Sequence, residues 1–134
     1  DDSTVLIVLG ARQMNPAVPI SATVRATENE DLIRQAGADN IINPVSMGGH
    51  LLARASEGRH VAECIADLAS ADGQVVMRER AVAAAEIGKP LGALTTGMGL
   101  RISRNNHIHG YWEHAAQSLK AGDIIVEIAR TETS

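Results

Sequence analysis

The amino-acid sequence predicts an α/β protein: a partial Rossmann-like parallel sheet, with only its last strands, followed by a small α+β C-terminal lobe. Three observations predict this class. Helical and extended apolar segments alternate over residues 1–55, as they do in a doubly wound sheet. Ser56, Glu57 and Gly58 then interrupt the alternation. From Gln74 onwards the pattern changes to short strands that are separated by turns. We therefore expect one part over residues 1–58 and a second part over residues 59–134.

The first part is expected to contain three helices and two short strands. The helices are predicted from a cap at Ser3 or Thr4 through Met14, and over residues 28–36 and 45–55; the strands are predicted over residues 19–25 and 41–42. Ser3 or Thr4 is expected to cap the first helix, and the following Asn15-Pro16 ends it. Gly37 is the expected end of the second helix. That helix has one apolar stripe, formed by Leu32, Ile33 and Ala36.

The second part is expected to begin with an amphipathic helix over residues 59–71. Its apolar stripe is formed by Val61, Cys64, Ile65 and Leu68. Strands are predicted over residues 74–80, 98–104, 107–112 and 124–129. A short helix is predicted over residues 90–94, because proline is favoured in a first helical turn. Asn105-Asn106 is the expected turn between two of the strands.

Composition and charge restrict the classes of function. The chain carries 12 basic and 16 acidic side chains, a net charge of −4, and no basic run. Nucleic-acid binding is not expected, because it needs concentrated positive charge.

The single cysteine, Cys64, is typical of a reducing compartment. No apolar run approaches the roughly 20 residues that span a bilayer, so we expect a cytoplasmic protein. The first residue is Asp rather than Met, which suggests a processed or incomplete chain.

Several short motifs, taken together, resemble one protein family. They are Arg12-Gln-Met-Asn-Pro16, Glu28-Asn29, Arg34-Gln-Ala-Gly-Ala-Asp39, Ile42-Asn-Pro44 with Gly48-Gly49, Ile87-Gly-Lys-Pro-Leu91 and Leu119-Lys-Ala-Gly-Asp-Ile-Ile-Val126. Their order and spacing resemble the RCK domain, the regulator of potassium conductance, which is also called the TrkA-type domain. The resemblance implies that residues 1–58 are the C-terminal portion of a nucleotide-binding N-lobe with its crossover helix. Residues 59–134 then resemble the C-terminal lobe.

The resemblance implies a cytoplasmic regulatory domain at the inner face of the cell membrane. Domains of this family gate potassium channels or potassium uptake systems. An effector moves the paired lobes, and the dimer or ring passes that movement to a membrane-embedded pore. The helices over residues 45–55 and 59–71 resemble the crossover pair that joins lobes and subunits. An ordinary core helix without a partner is the alternative. The expected interface is formed by Met47, Gly48, Leu51, Leu52, Val61, Ile65 and Leu68.

The nucleotide site of the family is incomplete in this sequence. The glycine-rich turn that brings backbone amides close to a phosphate does not occur after a first strand. What remains is the far wall of the site, at the rim where the strands end. There Arg25 can donate two hydrogen bonds to a phosphate, and Asp1 and Asp2 begin a helix at the same rim.

The regulatory ligand is not selected by any residue pattern. The family analogy admits a nucleotide, such as an adenine nucleotide, or a cyclic dinucleotide. Calcium is not expected, because some family members bind it through acidic residues at the end of this strand, where Arg25 stands here.

An open sheet edge is a further expectation. In the usual strand order 3-2-1-4-5-6, the two strands of the first part are strands five and six. Strand five then lacks a neighbour where strand four belongs. Because unpaired edges recruit partners, we expect the missing half of the sheet or another subunit to cover this edge.

The remaining patterns indicate structure rather than chemistry. His107, His109 and His114, with Glu113, have a spacing that zinc or nickel uses, but the adjacent turn favours exposed histidines at a hairpin tip. Cys64 is expected in the core. No nucleophile elbow or metal-ligand motif indicates an enzyme.

Two alternatives to the potassium system stay open: a ligand-sensing module of another ion or anion transporter, and a fragment of a nucleotide-dependent dehydrogenase.

Overall fold

The structure is a computed structural model, and it describes residues 1–132. These residues form two compact units, one from Asp1 to Ala62 and one from Glu63 onwards. The boundary that the sequence predicts, after residue 58, lies slightly earlier in the chain.

The first unit contains three helices and two strands in the predicted order. The helices are α1 (Asp2–Met14), α2 (Glu30–Gln35) and α3 (Pro44–Ala55), and a 3₁₀ turn, Thr27–Asn29, precedes α2. The strands are β1 (Ser21–Thr23) and β2 (Asn40–Ile42). They pair in parallel, with Ala22 opposite Ile41. The predicted parallel sheet is confirmed. Within residues 1–132 it has two strands, so β1 pairs on one edge only.

A small apolar core lies between α1, α2 and the sheet. It is formed by Val8, Ala22, Val24, Ile33, Ala36 and Ala38. Of the predicted apolar stripe of α2, Ile33 and Ala36 are buried and Leu32 is about half exposed, because adjacent helix positions point about 100° apart and Ile33 turns inward. Ile42 is also about half exposed, since a sheet of two strands buries little of its second strand.

The start of α1 differs from the prediction. The helix begins at Asp2, and Asp1 occupies the N-cap position without a capping hydrogen bond from its side chain. Ser3 and Thr4 therefore lie inside the first turn, where their hydroxyls cannot cap it. The helix ends at Met14, before Asn15, as predicted.

The second unit is built on one antiparallel sheet. Helix α4 (Arg59–Ala69) begins before the unit boundary and leads into it. The strands are β3 (Val75–Ala81), β4 (Met98–Arg104), β5 (His107–Gly110) and β6 (Ile124–Arg130), arranged in the order β3-β6-β4-β5. The four predicted strands are confirmed. The short helix predicted over residues 90–94 is a 3₁₀ turn, Leu91–Ala93, that follows Pro90. In the described part of the chain, no helix has the length and apolarity needed to cross a bilayer.

Glycine and asparagine allow two tight turns in this unit. Asn105 and Asn106 have φ angles of 51° and 65°, a left-handed conformation that asparagine tolerates, and they form the predicted hairpin turn between β4 and β5. Gly88 has a φ of 84°. Its N–H donates to the Leu119 carbonyl oxygen at 2.8 Å, while the Leu119 N–H donates to the Lys89 carbonyl oxygen at 2.9 Å. The two motifs that resemble the family's C-terminal lobe therefore lie side by side.

The core of the second unit lies on one face of its sheet. It is formed by Leu91, Ile102, Ala116, Leu119 and Ile125. Cys64 is not part of a core: its side chain is exposed on α4, so that prediction is wrong. The spacing of apolar residues identified a face of the helix correctly, but the spacing does not say whether that face is covered.

Candidate ligand rim and assembly face

The carboxyl end of β1 forms the candidate ligand rim. The chain passes from the buried Val24 to the exposed Arg25 at this end of the sheet. The backbone N–H groups of Arg25 and Ala26 donate to the two carboxylate oxygens of Asp1, at 3.1 and 3.2 Å. The side-chain amide of Asn29 donates to the same carboxylate at 2.9 Å. Asp1 therefore holds the turn after β1 against the start of α1.

The other two charges at the rim are free for solvent or a ligand. Arg25 and Asp2 are exposed, and within residues 1–132 their side chains make no hydrogen bond or ion pair. The Arg25 guanidinium can therefore pair with an anion in bidentate fashion. Asp2 lies in the first turn of α1, where a carboxylate offsets the positive end of the helix dipole. The structure thus brings the three predicted rim residues together, and Arg25 alone supplies positive charge.

Arg12 has a structural role that sequence analysis did not identify. Its guanidinium donates to the Gly37 carbonyl oxygen from Nε at 3.1 Å and from Nη2 at 2.7 Å. The same Nη2 lies 2.8 Å from Asp39 Oδ2. The backbone N–H of Ile20 donates to that carboxylate at 2.7 Å. The hydrogen bond from Ile20, together with Arg12, holds the pKa of Asp39 below its usual range. Two of the family-like motifs are therefore joined by one side chain, at the end of the sheet opposite the rim.

The exposed apolar face of α3 is the first candidate assembly face. Asn43 caps this helix by accepting a backbone N–H of the first turn at 3.1 Å. Met47, Leu51 and Leu52 are all exposed on the helix. Gly48 keeps the face open, since no heavy atom lies within 4 Å of the position that a Cβ would take. An open cavity of about 320 Å³, lined partly by Met47 and Leu51, lies beside it.

Helix α4 carries the remaining predicted interface residues. Val61 is exposed, whereas Ile65 and Leu68 are partly buried. A helix with one apolar and one charged side is typical of a helix that packs against another element. Whether these residues contact a second subunit stays a prediction.

The second unit contains a buried ion-pair network that no sequence pattern predicted. Glu127 of β6 has no exposed surface. Its Oε1 accepts from Arg78 Nε and Arg80 Nε, both at 2.9 Å, and its Oε2 accepts from Thr96 Oγ1 at 2.9 Å. Arg80 also pairs with Glu86 at 2.8 Å. Burial raises the pKa of Glu127, but the hydrogen bonds from Arg80, Arg78 and Thr96 outweigh it and hold the pKa below its usual range.

Asp123 closes the turn that leads into β6. Gly122 has a φ of 87°, which lets the chain reverse. The Asp123 carboxylate accepts the backbone N–H of Lys120 at 2.8 Å, and it accepts Arg104 Nε at 2.7 Å and Nη2 at 2.6 Å. The hydrogen bonds from Arg104 hold the pKa of Asp123 below its usual range. The Gly-Asp motif is therefore explained by the fold.

The histidine cluster at the β4–β5 hairpin forms local hydrogen bonds. His109 Nδ1 lies 2.9 Å from Glu113 Oε2, and this contact holds the pKa of Glu113 below its usual range. His107 Nδ1 lies 3.0 Å from the Asn105 carbonyl oxygen. His114 begins a separate 3₁₀ turn. Among the described residues, no group of three or more His, Cys, Asp or Glu side chains is arranged to hold a metal ion.

Comparison with known proteins gives two findings. Residues 1–44 match the family model of the TrkA-N domain, which confirms the TrkA-type resemblance for this part of the chain. The chain is also similar to solved structures described as "GsuK channel bound to NAD", at 23% identity and a TM-score of 0.43, and "Crystal Structure of the GsuK RCK domain", at 22% and 0.42. These matches cover 98% of this chain, but only 24% and 29% of the solved chains.

Proposed function

We propose that this chain is part of a cytoplasmic regulatory domain that gates a potassium channel or a potassium uptake system. The match of residues 1–44 to the TrkA-N domain carries the proposal. The paired motifs around Gly88 and Leu119, which resemble the family's C-terminal lobe, support it. In this role the chain catalyses no reaction. It converts ligand binding into a shift between two arrangements of paired domains.

The proposed ligand is an anion such as an adenine nucleotide, bound at the rim of the first unit. The unpaired guanidinium of Arg25 supports this, because it lies where strands of α/β sheets end. Asp1 fixes the turn that carries Arg25. The free carboxylate of Asp2 can accept a hydrogen bond from a ligand hydroxyl, as acidic residues do with a ribose.

The proposed assembly is a homodimer or larger ring that acts on a membrane-embedded pore from the cytoplasmic side. The exposed apolar face of α3 supports such an assembly, since contiguous apolar surface marks interaction sites. The proposed contact residues are Met47, Gly48, Leu51 and Leu52 of α3 and Val61, Ile65 and Leu68 of α4.

Tracer flux in the native cell tests this function against its two alternatives. The gene for this chain is disrupted, and rubidium uptake, anion uptake and nucleotide-dependent reduction are each measured. We expect altered rubidium flux, restored by the wild-type gene. Altered anion flux with normal rubidium flux would instead indicate a sensing module of an anion transporter. Loss of a nucleotide-dependent reduction, with both fluxes unchanged, would indicate a dehydrogenase fragment.

A further inference from the structure

The single tyrosine and the single tryptophan of the sequence lie together on the surface of the second unit. Tyr111 and Trp112 directly follow β5, and they are 57% and 72% exposed. Their ring centroids lie 5.1 Å apart, and the two ring planes are inclined at 87° to each other. A pair of rings at a right angle leaves a corner between two ring faces. Since aromatic side chains usually bury a large area, two exposed rings side by side indicate a binding surface.

Gly110 determines where the indole ring lies. A Cβ at this position would lie 2.5 Å from the ring of Trp112, so the ring occupies the space that the side chain of any other residue would fill. Arg101 of β4 is the register partner of Gly110. Residues directly opposite each other in an antiparallel pair share one face of the sheet. The Arg101 side chain and the indole ring are therefore neighbours on the same face.

These groups line one cavity of about 350 Å³. Tyr111 and Trp112 form the aromatic part of its wall, Leu100 and Ile108 add aliphatic surface, and the charged residues are Arg101 and Glu113. The volume falls within the range of small-molecule sites, which combine an apolar wall with a few polar groups.

The two charges on the wall of the cavity do not pair with each other. The Glu113 carboxylate accepts the backbone N–H of Gly110 at 3.1 Å and lies 2.9 Å from His109 Nδ1. Arg101 is exposed, and within residues 1–132 its guanidinium makes no hydrogen bond or ion pair. The cavity therefore offers a cation that is free to bind a ligand, together with ring faces and a carboxylate. A ligand that carries both a positive and a negative charge is complementary to this wall.

We propose that this cavity binds a small zwitterion that combines a quaternary ammonium group with a carboxylate. The quaternary ammonium lies in the corner between Tyr111 and Trp112, because the faces of aromatic rings attract cations. The ligand carboxylate pairs with the guanidinium of Arg101 in bidentate fashion. Glu113 adds negative charge to the wall, and this charge also favours the ammonium end of the ligand.

The groups in the corner favour a quaternary ammonium over a primary one. A quaternary ammonium has no N–H group, so it needs no hydrogen-bond acceptor, whereas a primary ammonium is strongly hydrated and has three donors to satisfy. The corner between the rings offers ring faces, and both oxygens of Glu113 already have a partner. Methyl groups on the nitrogen also contact the aliphatic wall of the cavity.

The inference goes beyond the proposed function and does not depend on it. The cavity lies in the second unit, whereas the candidate ligand rim around Arg25 belongs to the first unit. Because both rings are exposed, we expect weak binding, with half-saturation in roughly the millimolar range.

A series of ligands tests the proposal on the wild-type chain. Glycine betaine is titrated into the protein, and the emission of Trp112, the single tryptophan, is followed. Three analogues each lack one recognised feature: 3,3-dimethylbutyrate lacks the positive charge, tetramethylammonium lacks the carboxylate, and glycine lacks the methyl groups. We expect saturable binding of glycine betaine, with a dissociation constant at least about tenfold lower than that of each analogue. Sucrose, an osmolyte that is excluded from protein surfaces, should cause no saturable change.

Matched variants test the role of each wall. Arg101→Gln should raise the dissociation constant for glycine betaine at least about tenfold and leave that for tetramethylammonium unchanged. Arg130→Gln, which removes an exposed arginine outside this cavity, should bind as the wild type does. Gly110→Ala should also weaken binding, because the new Cβ displaces the indole ring. The φ of Gly110 is not positive, so the backbone accommodates alanine. Trp112→Leu should abolish the binding seen by saturation-transfer NMR of the ligand methyl signal.

Four results would overturn the proposal. They are the absence of saturable binding of glycine betaine, equal affinity for 3,3-dimethylbutyrate, equal affinity for tetramethylammonium, and wild-type affinity in an Arg101→Gln variant that circular dichroism shows to be folded. If a variant fails to fold, the ligand series on the wild-type chain still decides. None of these results depends on rubidium flux or on nucleotide binding, so failure here is distinct from failure of the proposed function.

Discussion

Replacing Glu127 by glutamine removes the negative charge from the centre of the buried network and preserves the size of the side chain. The carboxylate accepts hydrogen bonds from Arg78, Arg80 and Thr96. The glutamine amide has one acceptor oxygen, and its NH₂ group faces other donors. The two arginines thereby lose the negative charge that they share, although Arg80 keeps its pair with Glu86.

The expected loss follows from the exposure of these arginines. Breaking one side of a buried ion pair costs about 3–5 kcal/mol. The side chains of Arg80 and Arg78 are 21% and 37% exposed, so water replaces part of the lost interaction. We therefore expect the free energy of unfolding of the second unit to fall by about 2–3 kcal/mol. For a unit of this size the melting temperature falls by about 10–20 °C.

Urea unfolding at pH 7, followed by tryptophan fluorescence, measures this loss. Trp112 is the single tryptophan of the chain, so its emission reports on the second unit. The matched control is Glu132→Gln, which removes an exposed carboxylate of the same unit. We expect the control to stay within about 0.5 kcal/mol of the wild type.

The difference in the free energy of unfolding between the wild type and Glu127→Gln should depend on pH, and this dependence tests whether the negative charge of Glu127 is responsible. The pKa of Glu127 is held below its usual range, so its contribution is fully present above the unfolded-state pKa of about 4.3. The contribution is lost as the pH falls through the lower folded-state pKa. The gap between wild type and Glu127→Gln should therefore shrink between pH 7 and about pH 3. A gap under about 0.5 kcal/mol at pH 7, or one that stays constant down to pH 3, would show that the charge of Glu127 does not stabilise the second unit.

Three further predictions concern the first unit. Arg25→Ala should abolish any stabilisation by adenine nucleotides in a thermal-shift assay, whereas Arg34→Ala, a matched exposed arginine, should preserve it; equal shifts in both variants would place the ligand elsewhere. Arg12→Lys should lower the free energy of unfolding by about 1–3 kcal/mol, because an ammonium cannot reproduce the guanidinium contacts, and an unchanged urea midpoint would contradict the structural role of Arg12. Gly37→Ala should lower the free energy of unfolding by about 1–3 kcal/mol, because the φ of Gly37 is 108° and a Cβ there would lie 3.0 Å from the Arg12 side chain. An unchanged urea midpoint for this variant would show that the turn relaxes.

Local signals explain which parts of the fold could be predicted. Asn105 and Asn106 occupy left-handed backbone positions that asparagine tolerates. Gly37 follows α2 with a positive φ, as the sequence indicates for a helix end. In each case one or two residues decide the backbone conformation, so the sequence is sufficient. The alternation of helical and extended segments likewise predicted the parallel pair of strands, and the short apolar segments between turns predicted the four strands of the second unit.

The buried ion pairs of Glu127 and the exposure of Cys64 could not be predicted, because both depend on contacts between residues that are distant in the sequence. Arg78 and Arg80 lie 49 and 47 residues from Glu127, and alternating charges on a strand are usually exposed to solvent. The order of the four strands decides that these charges meet inside, and no short pattern encodes that order. Cys64 shows the same limit, because helical spacing defines an apolar face but not its cover.

The candidate ligand site was predictable in part. Its position at the carboxyl end of β1 follows from the parallel sheet, and the exposed Arg25 is found there. The use of Asp1 was not foreseen: both oxygens of its carboxylate accept hydrogen bonds from the turn after β1. That arrangement depends on a contact between residues 24 or more positions apart, which helix-start rules do not describe.

In the proposed function the chain assembles, and a bound effector changes the assembly. Light-scattering mass, measured across a concentration series with and without adenine nucleotides and divalent ions, tests both parts of this proposal. We predict a dimer or larger ring whose mass shifts with a nucleotide and does not respond to calcium. A folded monomer that keeps the same mass at every concentration and with every ligand would contradict the claim.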